Sequence, residues 1–120
     1  VKILLVDDDP AILDMMSKLL THRGHRVNTC DTPFGVSATI VRVLPDVVVL
    51  DVMMPGLGGS ALASLIAKLE LTHTPKVILW SAMDDVALAD AAAEAGGLAW
   101  VSKGMRASEI AAAIEKHGPR

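Results

Sequence analysis

The chain has 120 residues, room for one domain spanning 1–120 and no more, and 52% of them are apolar, enough for a core at this length. A net charge of −3 offers no basic face to nucleic acid or to an anionic membrane, and no apolar run approaches the roughly 20 residues of a membrane span. The single Cys30 cannot close an internal disulfide, and no charged leader with a cleavage site precedes Lys2, so a reducing, cytoplasmic setting is expected.

The first strand is predicted over Val1–Val6, where Ile3-Leu4-Leu5-Val6 is continuously apolar. Asp9 then caps a helix with Pro10 at its first position; Ile12, Met16, Leu19 and Leu20 form its apolar face and Gly24 ends it. A second strand covers Arg26–Cys30. Thr32-Pro33 repeats the cap-then-proline signal for a second helix running toward Leu44 and stopping before Pro45. The third strand, Asp46–Leu50, is again apolar throughout its interior, and a third helix follows over Gly59–Glu70 with Leu62, Leu65, Ile66 and Leu69 as its stripe. Lys76–Trp80 is the fourth strand. The fourth helix, about Asp85–Ala95, is nearly all alanine with Val86 and Leu88. Its apolar residues cannot all face inward, so some apolar surface is expected to stay open there. The fifth strand is placed at Leu98–Val101 and the fifth helix at Ala107–His117, burying Ile110 and Ile114.

Continuously apolar strands alternating with helices fit parallel strands covered on both faces, an α/β arrangement with right-handed crossovers. In open parallel sheets ligands bind beyond the carboxyl ends of the strands. The first strand is followed there by Asp7-Asp8-Asp9, the third by Asp51, the fourth by Ser81-Ala82, and Lys103 stands at the end of the fifth. Clustered carboxylates repel one another and suit a hard divalent cation such as Mg²⁺. A carboxylate can attack phosphorus, a lysine can neutralise phosphoryl oxygens, and a small hydroxyl can donate to them.

The motifs Val6-Asp7-Asp8-Asp9, Leu50-Asp51-Val52-Met53-Met54-Pro55-Gly56, Trp80-Ser81-Ala82 and Val101-Ser102-Lys103 are each weak alone. In this order and at these strand ends, the whole chain resembles the receiver domain of two-component response regulators. The resemblance implies a flavodoxin-like, CheY-like fold: a five-stranded parallel sheet in the order 2-1-3-4-5, flanked by five helices. It implies Asp51 as phosphoacceptor, Asp8 and Asp51 as direct Mg²⁺ ligands, Asp7 as holder of a metal-bound water and the Met53 backbone carbonyl as a further ligand. Ser81 matches the switch hydroxyl, Lys103 the lysine that pairs with the phosphoryl group, and Trp100 an aromatic switch position. The implied donor is a phosphohistidine on a sensor histidine kinase or phosphotransfer protein. The implied output is an attached domain or a partner, with a homodimer through the fourth helix, fifth strand and fifth helix as one form. The domain is read as a signalling phosphoacceptor that catalyses only its own phosphorylation and dephosphorylation. Three departures stand out: Gly104 where the common form has Pro, Gly58-Gly59 for the frequent Asp-Gly, and an indole at Trp100 where a smaller ring is usual.

Plainer readings stand beside these. Asp9 is a helix cap. Asp51 could serve a turn, Ser81 a loop cap, Lys103 a solvated surface, and Trp100 the core. Met53 and Met83 are packing residues, and their thioethers, two positions beyond Asp51 and Ser81, cannot orient an attacking water, so a slow loss of the phosphoryl group is expected. His22, His25, His73 and His117 have no metal spacing and are placed at the surface. A dehalogenase-type phosphatase would want Asp-x-Asp-x-Thr, but Ala11 stands where the Thr belongs. A receiver-like module that is never phosphorylated has no need of the full set of acids, hydroxyl and lysine.

Overall fold

The computed structural model describes residues 1–32, 34–51, 75–82, 84–94 and 99–118. Along them run β1 (Lys2–Val6), α1 (Pro10–His22), β2 (Arg26–Cys30), α2 (Val36–Val43), β3 (Val47–Asp51), β4 (Lys76–Ser81), α3 (Asp85–Glu94), β5 (Ala99–Ser102) and α4 (Ala107–His117). The helix predicted over Gly59–Glu70 lies outside the described residues, so α3 and α4 are the fourth and fifth predicted helices.

The strands form one parallel sheet in the order β2-β1-β3-β4-β5. The continuous apolar runs of β1, β3 and β4 follow from their burial on both faces, because successive side chains feed two different cores. Ile3, Leu5, Val47, Val49, Ile78 and Trp80 pack with Leu13, Met16 and Leu20 of α1 and Ile110, Ala111 and Ile114 of α4. Leu4, Val6, Val48, Leu50 and Leu79 pack with Val36 and Ile40 of α2 and Leu88 and Ala92 of α3. Each large side chain so buried stabilises the fold by about 2 kcal/mol before ordering costs are counted. β2 is one of the two edge strands and is half-exposed, which is why its sequence is mixed.

Several local expectations shift. β3 and β4 each run one residue further than predicted, so Asp51 and Ser81 are the last residues of their strands rather than the first of a loop. In α1 the fully buried line is Leu13, Met16 and Leu20, with Ile12 and Leu19 at its margins. Asp9 does cap this helix, its Oδ1 accepting from the Ala11 N–H at 3.0 Å. The second helix does not start at Thr32-Pro33. The Thr32 hydroxyl accepts from the Phe34 N–H at 3.3 Å and closes a local turn, and the helix begins after Gly35, whose φ of +88° suits glycine. Leu44 ends it in the left-handed region at φ 54°, a conformation costing a non-glycine residue about 1 kcal/mol. In α3, Leu88 and Ala92 face the core while Val86 is 73% exposed, so the helix does present an open apolar residue. Asp84 caps it, accepting from the Ala87 N–H at 2.9 Å.

At the amino end of the sheet, the turn after α1 is fastened to the last turn of α4. Glu115 accepts from Arg23 Nε at 3.2 Å, meets the Arg23 Nη2 as well, and lies 2.7 Å from His25 Nε2. These contacts, Arg23 first, hold the Glu115 carboxyl at about 2, well below the ordinary carboxylate range. His25 is therefore not the free surface residue expected: its side chain is mostly buried against Glu115.

Candidate functional site

The carboxyl ends of the four strands β1, β3, β4 and β5 meet on one rim. Asp7 follows β1 directly, Asp51 ends β3, Ser81 ends β4 and Lys103 follows β5. Asp7 and Ser81 are fully buried and Asp51 nearly so, while Asp8 beside them is exposed. One carboxylate oxygen from each of Asp7, Asp8 and Asp51 lies within 4.8 Å of the others. The three aspartates that follow β1 thus divide their work: Asp9 turns to the helix, and Asp7 and Asp8 turn to Asp51.

Asp7 is anchored by the Asp9 N–H, which donates to its Oδ1 at 2.9 Å. Its Oδ2 has no hydrogen bond of regular geometry but forms an ion pair with the Lys103 ammonium. The same ammonium lies 3.3 Å from Asp51 Oδ2. Burial pushes the Asp7 carboxyl up; Lys103 and the Asp9 amide pull it back, and the Asp51 charge adds to the rise. Lys103 is itself held by its backbone, whose N–H donates to the Ser81 carbonyl at 2.8 Å, locking the end of β5's turn to the end of β4. The Gly104 N–H donates to Ser102 Oγ at 3.2 Å, and no peptide among the described residues is cis, so Lys103–Gly104 is trans.

The two-residue strand period sorts the site by face. Leu79 and Trp100 are paired neighbours on β4 and β5 and pack toward the α2–α3 core; Ser81 and its partner Ser102, two residues on, continue that face. Trp100 is half-buried there. Trp80 points to the opposite face and is paired with Asp51. Its indole is fully buried, donates through Nε1 to the Val6 carbonyl at 3.3 Å, and has the Lys103 ammonium 5.1 Å above its ring centroid. Sequence reasoning placed Trp80 only as the last residue of the fourth strand, before Ser81. The signal was available, because a residue preceding a strand-end Ser must face the side opposite to it, but the neighbour across the ladder depends on register.

Met53, Met83 and Gly58-Gly59 lie outside the described residues. Among the described residues, the donor set suits a hard cation: three carboxylates, two of them buried and mutually repelling, supply oxygen ligands of the kind Mg²⁺ takes.

The chain belongs to the response regulator receiver domain family, which it matches over residues 3–115. It is 34% identical over 111 residues to the probable transcriptional regulatory protein TcrX of Mycobacterium tuberculosis, covering 92% of this chain and 46% of that protein. It is 32% identical over 117 residues to the positive alginate biosynthesis regulatory protein of Pseudomonas aeruginosa, covering 95% and 46%. The chain therefore spans less than half the length of these relatives. Among solved structures it resembles the receiver domain of the response regulator NarL from Mycobacterium tuberculosis, with 29% identity, a TM-score of 0.82 and coverage of 97% of this chain and 94% of that one. A response regulator from Chloroflexus aurantiacus gives 26% identity, a TM-score of 0.85 and coverage of 96% and 94%. The family role is phosphorelay signalling in two-component systems, and this chain is a receiver domain of that kind.

Proposed function

We propose that this receiver accepts its phosphoryl group on Asp51, that Asp7, Asp8 and Asp51 hold the Mg²⁺ the reaction needs, and that the donor is a phosphohistidine of a sensor histidine kinase or phosphotransfer protein. The observation that carries the reading is the convergence of three carboxylates within 4.8 Å with the Lys103 ammonium 3.3 Å from Asp51. An Asp51 oxygen attacks phosphorus in line, the bond from phosphorus to the donor imidazole breaks, and the phosphoryl group remains on the carboxylate. Bound Mg²⁺ would neutralise charge on the transferring oxygens. Lys103 is placed to do the same from the protein side, leaving Asp7 for the incoming oxygens, and the Ser81 hydroxyl donates to them from the end of β4. Movement of Ser81 toward the phosphoryl group is the first step of the switch, and Trp100, two positions from Ser102 on the shared face, is the next group in line. Outside its own phosphorylation and dephosphorylation no further chemistry is assigned. The α3–β5–α4 face, with Val86 open, is the candidate surface for an output partner or a second copy.

Incubation with acetyl phosphate and Mg²⁺ tests the acceptor. One phosphoryl mass should be added per chain and none to Asp51→Asn. Undiminished uptake by Asp51→Asn would remove the assignment.

A further inference from the structure

We propose that Trp80 is a positioning residue for Lys103: its buried indole, tied through Nε1 to the Val6 carbonyl, presents its π face to the ammonium and holds it between Asp7 and Asp51. The inference rests on the reading that Lys103 meets the phosphoryl group arriving at Asp51.

A lysine on the turn after a strand has four rotatable bonds and would ordinarily spread its charge through solvent. Here the Lys103 side chain is only 14% exposed. Its ammonium has given up water on the side of the indole, and that side must be compensated. An aliphatic side chain there would desolvate the cation without return, whereas the negative face of an indole attracts it. The ring shows its face rather than its edge because its orientation is fixed: Nε1–H donates to the Val6 carbonyl at 3.3 Å, inside the core. Val6 immediately precedes Asp7, so one hydrogen bond ties the ring to the strand end that carries the lysine's partner. The ladder pairs Trp80 with Asp51, the other partner, and the Lys103 N–H donates to the carbonyl of Ser81, the next residue. The ammonium therefore lies between Asp7 and Asp51 with the indole face 5.1 Å from it.

Fluorination tests this with little change of shape, because fluorine drains the ring face of electron density. With Trp100 replaced by Phe, Trp80 is the sole tryptophan, since the chain has two. Protein is prepared with ordinary, monofluorinated and trifluorinated tryptophan, and the initial rate of phosphorylation by acetyl phosphate and Mg²⁺ is read by mass. The rate should fall stepwise, to about one-tenth in the trifluorinated protein, the scale of one desolvated cation–π contact, while the thermal midpoint holds. In a Lys103→Met background the series should be flat. A flat series with Lys103 present, or equal slowing without it, would show Trp80 to be core packing alone and overturn the proposal. Proton NMR decides the same point without phosphorylation. The Lys103 ε-methylene should resonate upfield under the ring current and lose that displacement in Trp80→Leu. An unshifted resonance in the unsubstituted chain overturns the proposal. Failure of the unsubstituted chain to take up phosphate would count against the Asp51 reading instead, and the NMR result would still decide the role of Trp80.

Discussion

Each end of the sheet carries a cluster of charge, and the two clusters are built on opposite terms. At the amino end one carboxylate, Glu115, meets two nitrogen partners, Arg23 and His25, at the edge of solvent, and its carboxyl is pulled down to about 2. At the carboxyl end three carboxylates converge, the two buried ones, Asp7 and Asp51, share the Lys103 ammonium, and the Asp7 carboxyl is pushed up by its burial. The first arrangement relieves its charge and fastens α1's turn to α4. The second gathers three carboxylates at one point, and a site of that kind is one that a cation or an electrophilic phosphoryl group can satisfy. The cluster that fastens the fold and the cluster proposed to react thus lie at opposite ends of the strands.

Substitutions at the two ends should separate accordingly. The largest effect is on chemistry: Asp51→Asn abolishes phosphoryl uptake in an acetyl phosphate assay, while Glu115→Gln leaves the rate within about two-fold, the pair lying outside the reaction's electrostatic reach. Slowing in Glu115→Gln comparable to the loss in Asp51→Asn would end the division of labour. Next comes stability. Glu115→Gln should cost about 1 kcal/mol in urea unfolding, allowing for the partial exposure of the pair. The pH dependence has a definite sign. Because the folded value lies below the ordinary 4.5, the contribution is complete above pH 4.5 and is lost as the pH falls toward 2. Stability curves of the parent and Glu115→Gln should converge across that window; parallel curves would disprove the linkage.

Asp7→Asn should move stability the other way, raising it by up to about 1 kcal/mol, since it removes a buried like charge while its Oδ1 can still accept from the Asp9 amide. A loss of that size would mean that the Lys103 pair outweighs the burial cost. The smallest effect is optical. In a Trp80→Phe background, Mg²⁺ with beryllofluoride should change the emission of half-buried Trp100, and Asp51→Asn should abolish the change. An unaltered spectrum with binding confirmed separately would leave Trp100 as a passive packing residue.

Much of this was readable in the sequence, for reasons that differ by residue. Asp7, Asp51, Ser81 and Lys103 could be placed on one rim because apolar runs mark the strands and parallel strands all end on the same side. The order of the sheet came from resemblance, not from periodicity. The start of α2 was missed because Thr32-Pro33 carries a true cap signal that the hydroxyl spends on a turn, leaving the helix to begin after Gly35. Leu13 was left out of α1's face for want of a partner to show which side of the stripe lies deepest. Trp80's place beneath Lys103, and His25's against Glu115, depend on strand register and on which helix ends meet, and neither is a local property.

The one-residue extension of β3 and β4 also bears on time. Leu50 pairs with Val6 on one side and Leu79 on the other, so β3 is laddered on both flanks up to the residue before Asp51. Amides in such a strand exchange with solvent only when the whole sheet opens. Deuterium should therefore enter the backbone around Leu50 among the last of the described residues, although the carboxylate one residue on is the proposed acceptor. The proposed acceptor would then sit on one of the slowest-exchanging strands, and the motions of the switch would fall to side chains and helices around a frame opening more slowly than they move.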